Sequence, residues 1–468
     1  VDGFFDEMFE APRRPRDVYT RLYDRIRRVP ADRFVAKSGL AEGAYLSQGI
    51  TFSHEGREQA FPFDLLPRLI PPADWRALSA GLVQRVRALN AFLSDIYGQR
   101  RVISDGVVPN AAVVRSRGYV REAVGIAPTL DRFVHIAGID LVRDDEGVWR
   151  VLEDNLRNPS GLSYVIQNRA FMRRVFPEVF ADYQVSPVGH APTQLRVALA
   201  ECAPDPGRPG GARIVVLTPG PANSAYFEHA FLAQQLGVPL VEGRDLIVRE
   251  RRVYLKTTVG REPVDVIYRR IDDDFLDPSL FRVDSMLGVT GLMQAYREGN
   301  VAICNAVGNG AADDKALYAL VPELVRYYLN EDPLLAQVPT YLTSRPDDRD
   351  FVLDNLERLV VKPIDGSGGY GITIGPHSTP AELDACAKKL RADPDAFIAQ
   401  ETVMLSRSPV YIDEAFRPRH VDLRPFVIGG RDYQAVPGGL TRVALREGSL
   451  IVNSSQGGGS KDTWILVG

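Results

Sequence analysis

The stretch "RFVHIAGIDLVRDDEGVWRVLEDNLRNPSG", residues 132 to 161, constrains this chain most. Two runs rich in β-branched and aromatic residues flank Asp145-Glu146-Gly147, which is hairpin turn chemistry. Pairing across a loop of two residues (Glu146-Gly147) or of four (144 to 147) leaves Asp140 and Glu153 on one face. They are directly opposed at about 5 Å in the first register and diagonal at about 7 Å in the second. Asn155 projects the same way, and Trp149 and Val151 are expected on that face too, which predicts a cleft. A bare carboxylate pair would repel itself. Two carboxylates and an amide oxygen instead suit Mg2+, which shares carboxylates with substrate phosphates. A solvated polar face on an antiparallel sheet is the plainer alternative.

Around this hairpin the chain divides by composition. Residues 1–110 mix basic helical segments with "ADWRALSAGLVQRVRALNAFLSDIYG", apolar at helical spacing, and are expected to pack as a helical region on the core. Residues 111–205 hold the acidic hairpin. Pro and Gly crowd "APDPGRPGG" at 203–211, marking a boundary. Beyond it "ARIVVLTPG", "SAYFEHAFLAQQLG" and "VPLVEGRDLIV" read strand, helix, strand, with "VDVIYRRID" and "VAICNAVG" extending an open α/β unit over 206–335. Residues 336–468 turn β-rich again with many glycines.

"VVKPIDGSGGYG" at 360–371 places Lys362 at a strand end before a glycine-rich loop whose N–H groups can approach phosphate oxygens closely. A flexible turn is the alternative, and the Walker spacing is absent. Gln400 and Glu401 follow an apolar strand and could meet an adenine edge. Asp422 and Arg424 share one strand face, Arg442 lies on "GGLTRVAL", and "NSSQGGGSKDTW" supplies Asn453, Ser455, Gln456 and Lys461; a salt-bridged sheet surface is the alternative here. In "YRRIDDDFLDP" the aspartates cannot all face one ligand, so Asp272 or Asp274 is expected as a cap or turn residue and Arg269 or Arg270 as the ligand contact. "NAVGNGAADDKALYALV" resembles half a dinucleotide fingerprint, but Asp313 stands where the third glycine belongs. Lys315 remains a candidate phosphate contact.

Whole-chain properties narrow the field. The chain has 468 residues, 56 Lys+Arg against 60 Asp+Glu, so its charge argues for neither nucleic acid nor an anionic membrane as partner. Cys202, Cys304 and Cys386 are scattered without CxxC spacing, and are expected as reduced thiols in cytoplasm rather than a zinc site. No long apolar run or signal peptide is evident, and the missing initiator Met suggests a trimmed chain. The six histidines fit no triad, and no GxSxG occurs.

Asp140, then Glu-x-Asn at 153–155 followed by Arg157, resembles the metal signature of ATP-grasp enzymes, and Lys362 with its glycine-rich hairpin resembles their nucleotide lid. The order is reversed: the usual lid precedes the metal cluster. "DLVRDDEGVWRVLEDNLRNPSGLSY", "NGAADDKALYALVP" and "VNSSQGGGSKDTW" are similar to the circularly permuted ATP-grasp type 2 family, related to glutathionylspermidine synthetase. The resemblance spans about residues 50 to 468 and implies an α/β (α+β) chain, a permuted ATP-grasp fold with an inserted Rossmann-like pre-ATP-grasp domain. It implies an ATP- and Mg2+-dependent carboxylate–amine ligase working through an acyl phosphate. Asp140, Glu153 and Asn155 would hold Mg2+. Lys315, Lys362, Ser367, Gly368, Gly369, Tyr370, Gly371, Gln400 and Glu401 would bind ATP, and Arg157, Arg424 or Arg442 would steady the acyl phosphate. Arg269, Arg270, Asn453, Ser455 and Gln456 would meet small-molecule or peptide substrates. Glutathionylspermidine synthetase carries an arginine two residues before its first metal aspartate; here that position is Gly138, so one of the three arginines must substitute. A subunit that needs a helical partner protein and a dinucleotide-binding oxidoreductase are the competing readings.

Overall fold

The computed structural model describes residues 3–54, 57–364, 371–412, 414–449, 452 and 458–467. Its centre is a seven-stranded sheet, in spatial order Ala336–Gln337, Trp149–Asn155, Ile136–Arg143, Arg424–Gly429, Tyr433–Val443, Gly459–Ile465 and Phe63–Ile70. Neighbours run antiparallel except at the two edges, where Ala336–Gln337 and Phe63–Ile70 pair in parallel. The strand Phe63–Ile70 lies in the region expected to be helical; from Asp64 onward it is fully buried, which a sheet edge packed on both faces requires.

The helix Pro72–Tyr97 covers one face of this sheet. Its apolar positions Leu78, Leu82, Val86, Leu89, Phe92, Leu93 and Ile96 recur at helical spacing and join a core with Ile139, Leu141 and Val151. Pro72 in its first turn suits the start, because that N–H has no helical partner. Leu162–Val175 packs on the strands Tyr433–Val443 and Gly459–Ile465.

The inserted unit is a four-stranded parallel sheet in the order Ala302–Cys304, Val266–Arg269, Ile214–Leu217, Leu240–Val241. Ile214–Leu217 is buried throughout, as a strand covered on both faces must be. "VPLVEGRDLIV" divides: Leu240–Val241 enters the parallel sheet, whereas Leu246–Arg249 begins a separate antiparallel meander with Arg252–Thr257 and Gly260–Pro263. A short helical turn at Gly243–Asp245 separates them, closed by a capping box between Glu242 and Asp245.

The third sheet, Thr340–Leu342, Phe397–Glu401, Leu359–Pro363 and Thr373–Ile374, is backed by its own apolar cluster, which includes Val352, Leu356, Val361 and Leu390. It hangs beside the hairpin edge, since Pro339, two residues past the edge strand Ala336–Gln337, accepts a hydrogen bond from Glu401 N. Among the described residues no helix is long and apolar enough to cross a membrane.

A candidate nucleotide and metal cleft

The acidic hairpin closes differently from either expected loop, and two irregularities cancel. Its turn has three residues, 145–147, with Gly147 at φ +81° and Asp144 Oδ1 accepting Val148 N at 2.8 Å. Leu152 is then unpaired, a bulge between the pairs Leu141↔Val151 and Asp140↔Glu153. Asp140 thus faces Glu153 directly, as in the first expected register, and Asn155 lies opposite Gly138. The bulge also reverses the other expectation: Trp149 and Val151 fall on the opposite face. Trp149 lies under Arg68 and Arg143, at 4.8 and 5.2 Å from its ring.

The two opposed carboxylates live in different surroundings. Asp140 is 1% exposed, and Arg424 grips it in a fork at 2.5 and 2.8 Å while Arg442 donates to Oδ2 at 2.7 Å. Arg442 also binds the buried Asp422. Burial pushes the Asp140 carboxyl up, but the two guanidiniums outweigh it and hold it at about 2. Glu153 opens on a cleft of about 460 Å³ shared with Asn155, Arg157, Asp272, Asp274, Lys315 and Ile364. Lys315 Nζ stands 3.6 Å from Glu153 Oε1.

The third sheet brings its lysine to the same place. Glu153, Lys315, Lys362 and Gln400 line one crevice, which has Glu153, Asp154, Asp313 and Lys315 in common with the cleft. Lys362 Nζ donates to Gln400 Oε1, and Gln400 Nε2 donates to Thr340 Oγ1 at 3.0 Å. Gln400 is thus spent on holding the lysine, and Glu401 accepts from Tyr341 and Arg358. Burial pulls the Lys362 ammonium down to about 8, with Glu153 opposing and Lys315 adding to the shift. Ser367, Gly368, Gly369 and Tyr370 of the lid loop, and Asn453, Ser455 and Gln456, lie outside the described residues. Gly371, where the described chain resumes, sits at φ +74°.

Lys315 reaches its place through close backbone packing. Asp314 caps the turn Lys315–Tyr318, accepting from Ala316 N at 2.8 Å. A Cβ on Gly310 would lie 2.5 Å from Arg157 Cδ, so this glycine makes room for Arg157 rather than for a dinucleotide. Arg157 pairs with Asp313 at 2.8 Å; burial pushes the Asp313 carboxyl up to about 6 against that arginine.

The family model for circularly permuted ATP-grasp type 2 matches residues 67–444. The chain belongs to that family. An uncharacterized protein of Synechocystis is 50% identical over 471 residues, covering 100% of this chain and 98% of that one. One of Mycobacterium tuberculosis is 51% identical over 467 residues, 99% of this chain and 84% of that protein. A putative glutamate–cysteine ligase of Frankia alni is 46% identical over 464 residues, 98% of this chain and 54% of that protein. A glutathione synthetase-like effector from Globodera pallida shares the fold at a TM-score of 0.62, with 14% identity over 94% of this chain and 98% of that one.

In this ATP-grasp chain Gly138 stands two residues before Asp140. A Cβ on Gly138 would meet Arg424 Cδ at 3.2 Å and Cγ at 3.4 Å. The stem of Arg424 crosses the space that a side chain at 138 would fill, and its head clasps the aspartate from the neighbouring strand. Arg269 and Arg270, expected to contact a ligand, do not line the cleft. Arg269 is fully buried and donates to the carbonyls of Asn305, Ile271 and Ala306, and Arg270 donates to Pro159 O and Ser160 Oγ. Asp272 precedes the turn Asp273–Phe275 without a side-chain cap and accepts from Asn158 at 2.9 Å. Sequence reasoning passed over Arg115 and Arg117, which line the cleft from a loop. Gly118 beside them was their one local signal, since its Cβ would strike the backbone of Gly310.

The hairpin's donors suit Mg2+ unevenly. Glu153 is 36% exposed toward the cleft, and Asn155 Nδ2 is buried without a hydrogen-bond partner among the described residues, leaving the amide free to settle around a ligand. Asp140 keeps acceptor capacity on Oδ1, which takes one bond, but a cation there must share it with Arg424.

Proposed function

We propose that this chain is an ATP- and Mg2+-dependent carboxylate–amine ligase that forms an amide or peptide bond through an acyl phosphate. Membership of the ATP-grasp family and the ligase name of the Frankia relative support the reaction class. The observation that carries the reading is the meeting of Glu153, Lys315 and Lys362 in one crevice beside the cleft, from three parts of the chain far apart in sequence.

Asp140, Glu153 and Asn155 would hold Mg2+, which neutralises charge on the transferring phosphoryl group when bound. Lys315 and Lys362 would meet phosphate oxygens, and Gln400, which accepts from Lys362, would keep that lysine's head aimed at them. A substrate carboxylate oxygen attacks the γ-phosphorus and ADP leaves. The amine nitrogen then attacks the acyl carbon, phosphate departs, and the nitrogen loses a proton. Arg157, which lines the cleft, and Arg424, which clasps Asp140, would supply fixed positive charge for the negative charge of the acyl phosphate. A wall including Asp272 and Asp274 faces the same space and suits the amine partner.

Glu153→Gln tests this. It keeps size and fold but removes a ligand charge, so ADP release in the presence of Mg-ATP, a carboxylate mixture and an amine mixture should fall about 100-fold or more. Unchanged ADP release by that variant would sink the metal role. The Frankia relative extends well beyond the matched region, which supports a version of the reading in which a partner completes the active enzyme. Mg-ATP binding without ADP release by the native chain alone, restored by a partner fraction, would select that version.

A further inference from the structure

Away from the cleft, three buried side chains meet that the ligase reading does not use. His135 precedes the hairpin strand Ile136–Arg143, Cys202 follows the helix Ala191–Glu201, and Cys304 ends the parallel strand Ala302–Cys304. Their exposures are 2, 1 and 0%, and one donor atom from each lies within 4.8 Å of the others. His135 Nδ1 is buried with no hydrogen-bond partner among the described residues, although such a nitrogen normally finds one. A short contraction around an ion would bring two sulfurs and one nitrogen to bonding distance, about 2.3 Å for zinc–sulfur and 2.0–2.1 Å for zinc–nitrogen.

We propose that His135, Cys202 and Cys304 form a buried site for a thiophilic d10 cation, with Zn2+ the first candidate. Two thiolates and an imidazole are the soft donor set that selects Zn2+ or Cu+ over Mg2+. Zn2+ gives a neutral assembly with two thiolates, and neutrality suits three side chains this deeply buried. Binding releases the two thiol protons as the metal–sulfur bonds form. The ion would join the central sheet, the helix Ala191–Glu201 and the parallel sheet at one point. That point adjoins Asn305, which accepts from His135 N at 2.6 Å and donates to Ile136 O at 2.8 Å and Arg157 O at 3.2 Å. The site therefore anchors the same backbone that presents Arg157 to the cleft, as a structural rather than a catalytic ion.

The test uses the full chain, purified reduced and stripped of metal, titrated with Co2+ as the spectroscopic stand-in for Zn2+. One Co2+ per chain should bind with thiolate-to-cobalt charge-transfer absorption, be displaced by Zn2+, and raise the melting temperature. The absorption should vanish in Cys202→Ser and persist in Cys386→Ser, whose thiol lies on the helix Pro380–Ala392 in the apolar cluster behind the third sheet. Displacement by Cu+ but not by Zn2+ would support the site with the softer ion as its occupant. Absence of the absorption in the native chain, or its persistence in Cys202→Ser, would overturn the site. Should Cys202→Ser not fold, X-ray absorption of the native Zn2+ form decides: two sulfurs and one nitrogen around the ion support the site, and a shell without sulfur overturns it.

Discussion

Asp140 and Glu153 sit across from each other on one hairpin, yet one is 1% exposed and the other 36%. Behind the rung, Asp140, Asp422, Arg424 and Arg442 form a charge network in which both carboxylates are buried. In front, Glu153 opens on the cleft beside Lys315, whose Nζ stands 3.6 Å away, and lines an adjoining crevice with Lys362. The buried side carries charges that fixed partners already hold, which keeps the sheet in register. The open side carries charges that line a cavity a ligand can enter.

The largest break in this contrast comes from the closed side. Asp140→Ala leaves Arg424 and Arg442 short of a buried counter-charge and should cost about 3–5 kcal/mol, read by urea unfolding. Because its carboxyl is held near 2, well below the ordinary value of 3.8, the stability it contributes is full above about pH 4 and lost as pH falls toward 2. The variant should therefore show a flatter acid limb. A loss equal to that of Glu153→Gln would erase the contrast between the two sides.

Next in size is Gly138→Ala. Its methyl would press the Arg424 stem and Pro159, both 3.2 Å from the ideal Cβ, at a cost of about 1–3 kcal/mol. Ligase turnover should fall more than stability does, because the displaced guanidinium is the one proposed to stand in for the arginine of glutathionylspermidine synthetase. Native turnover at full stability would show that Arg424 has no such part.

The smallest effect sharpens the open side. Lys362 is pulled to about 8 from an ordinary 10.5, so the folded chain binds fewer protons than the unfolded one between those values, and this residue's cost to stability is present below pH 8 and relieved as pH rises through that window. Phosphates beside the ammonium should reverse the shift. Mg-ATP binding at pH 8 to 9 should then take up a fraction of a proton, measured by calorimetry in buffers of different ionisation enthalpy, and Lys362→Met should abolish the uptake.

Much of the site could be seen before the fold was known. The facing of Asp140 and Glu153 follows from strand parity within one short hairpin, although the three-residue turn and the Leu152 bulge that jointly preserve it could not be inferred. Lys362 and Lys315 were legible as strand-end and helix-start cations beside glycines. Arg115 and Arg117 were not, since a loop has no periodicity to mark a face. Arg269 misled for a related reason: an arginine at a strand end beside aspartates reads as a ligand contact unless one knows that backbone carbonyls will enclose it.

Sequence alone determined the helix Pro72–Tyr97, the buried parallel run Ile214–Leu217 and the acidic pair on its hairpin, because periodicity and turn chemistry act between neighbours a few residues apart. Tertiary structure decided which acid is locked and which is open, that Gln400 steers Lys362, and that His135 and two scattered cysteines share one buried point. Those outcomes depend on which strands become adjacent, and adjacency is set by the packing of whole sheets, a long-range balance that no local spacing records.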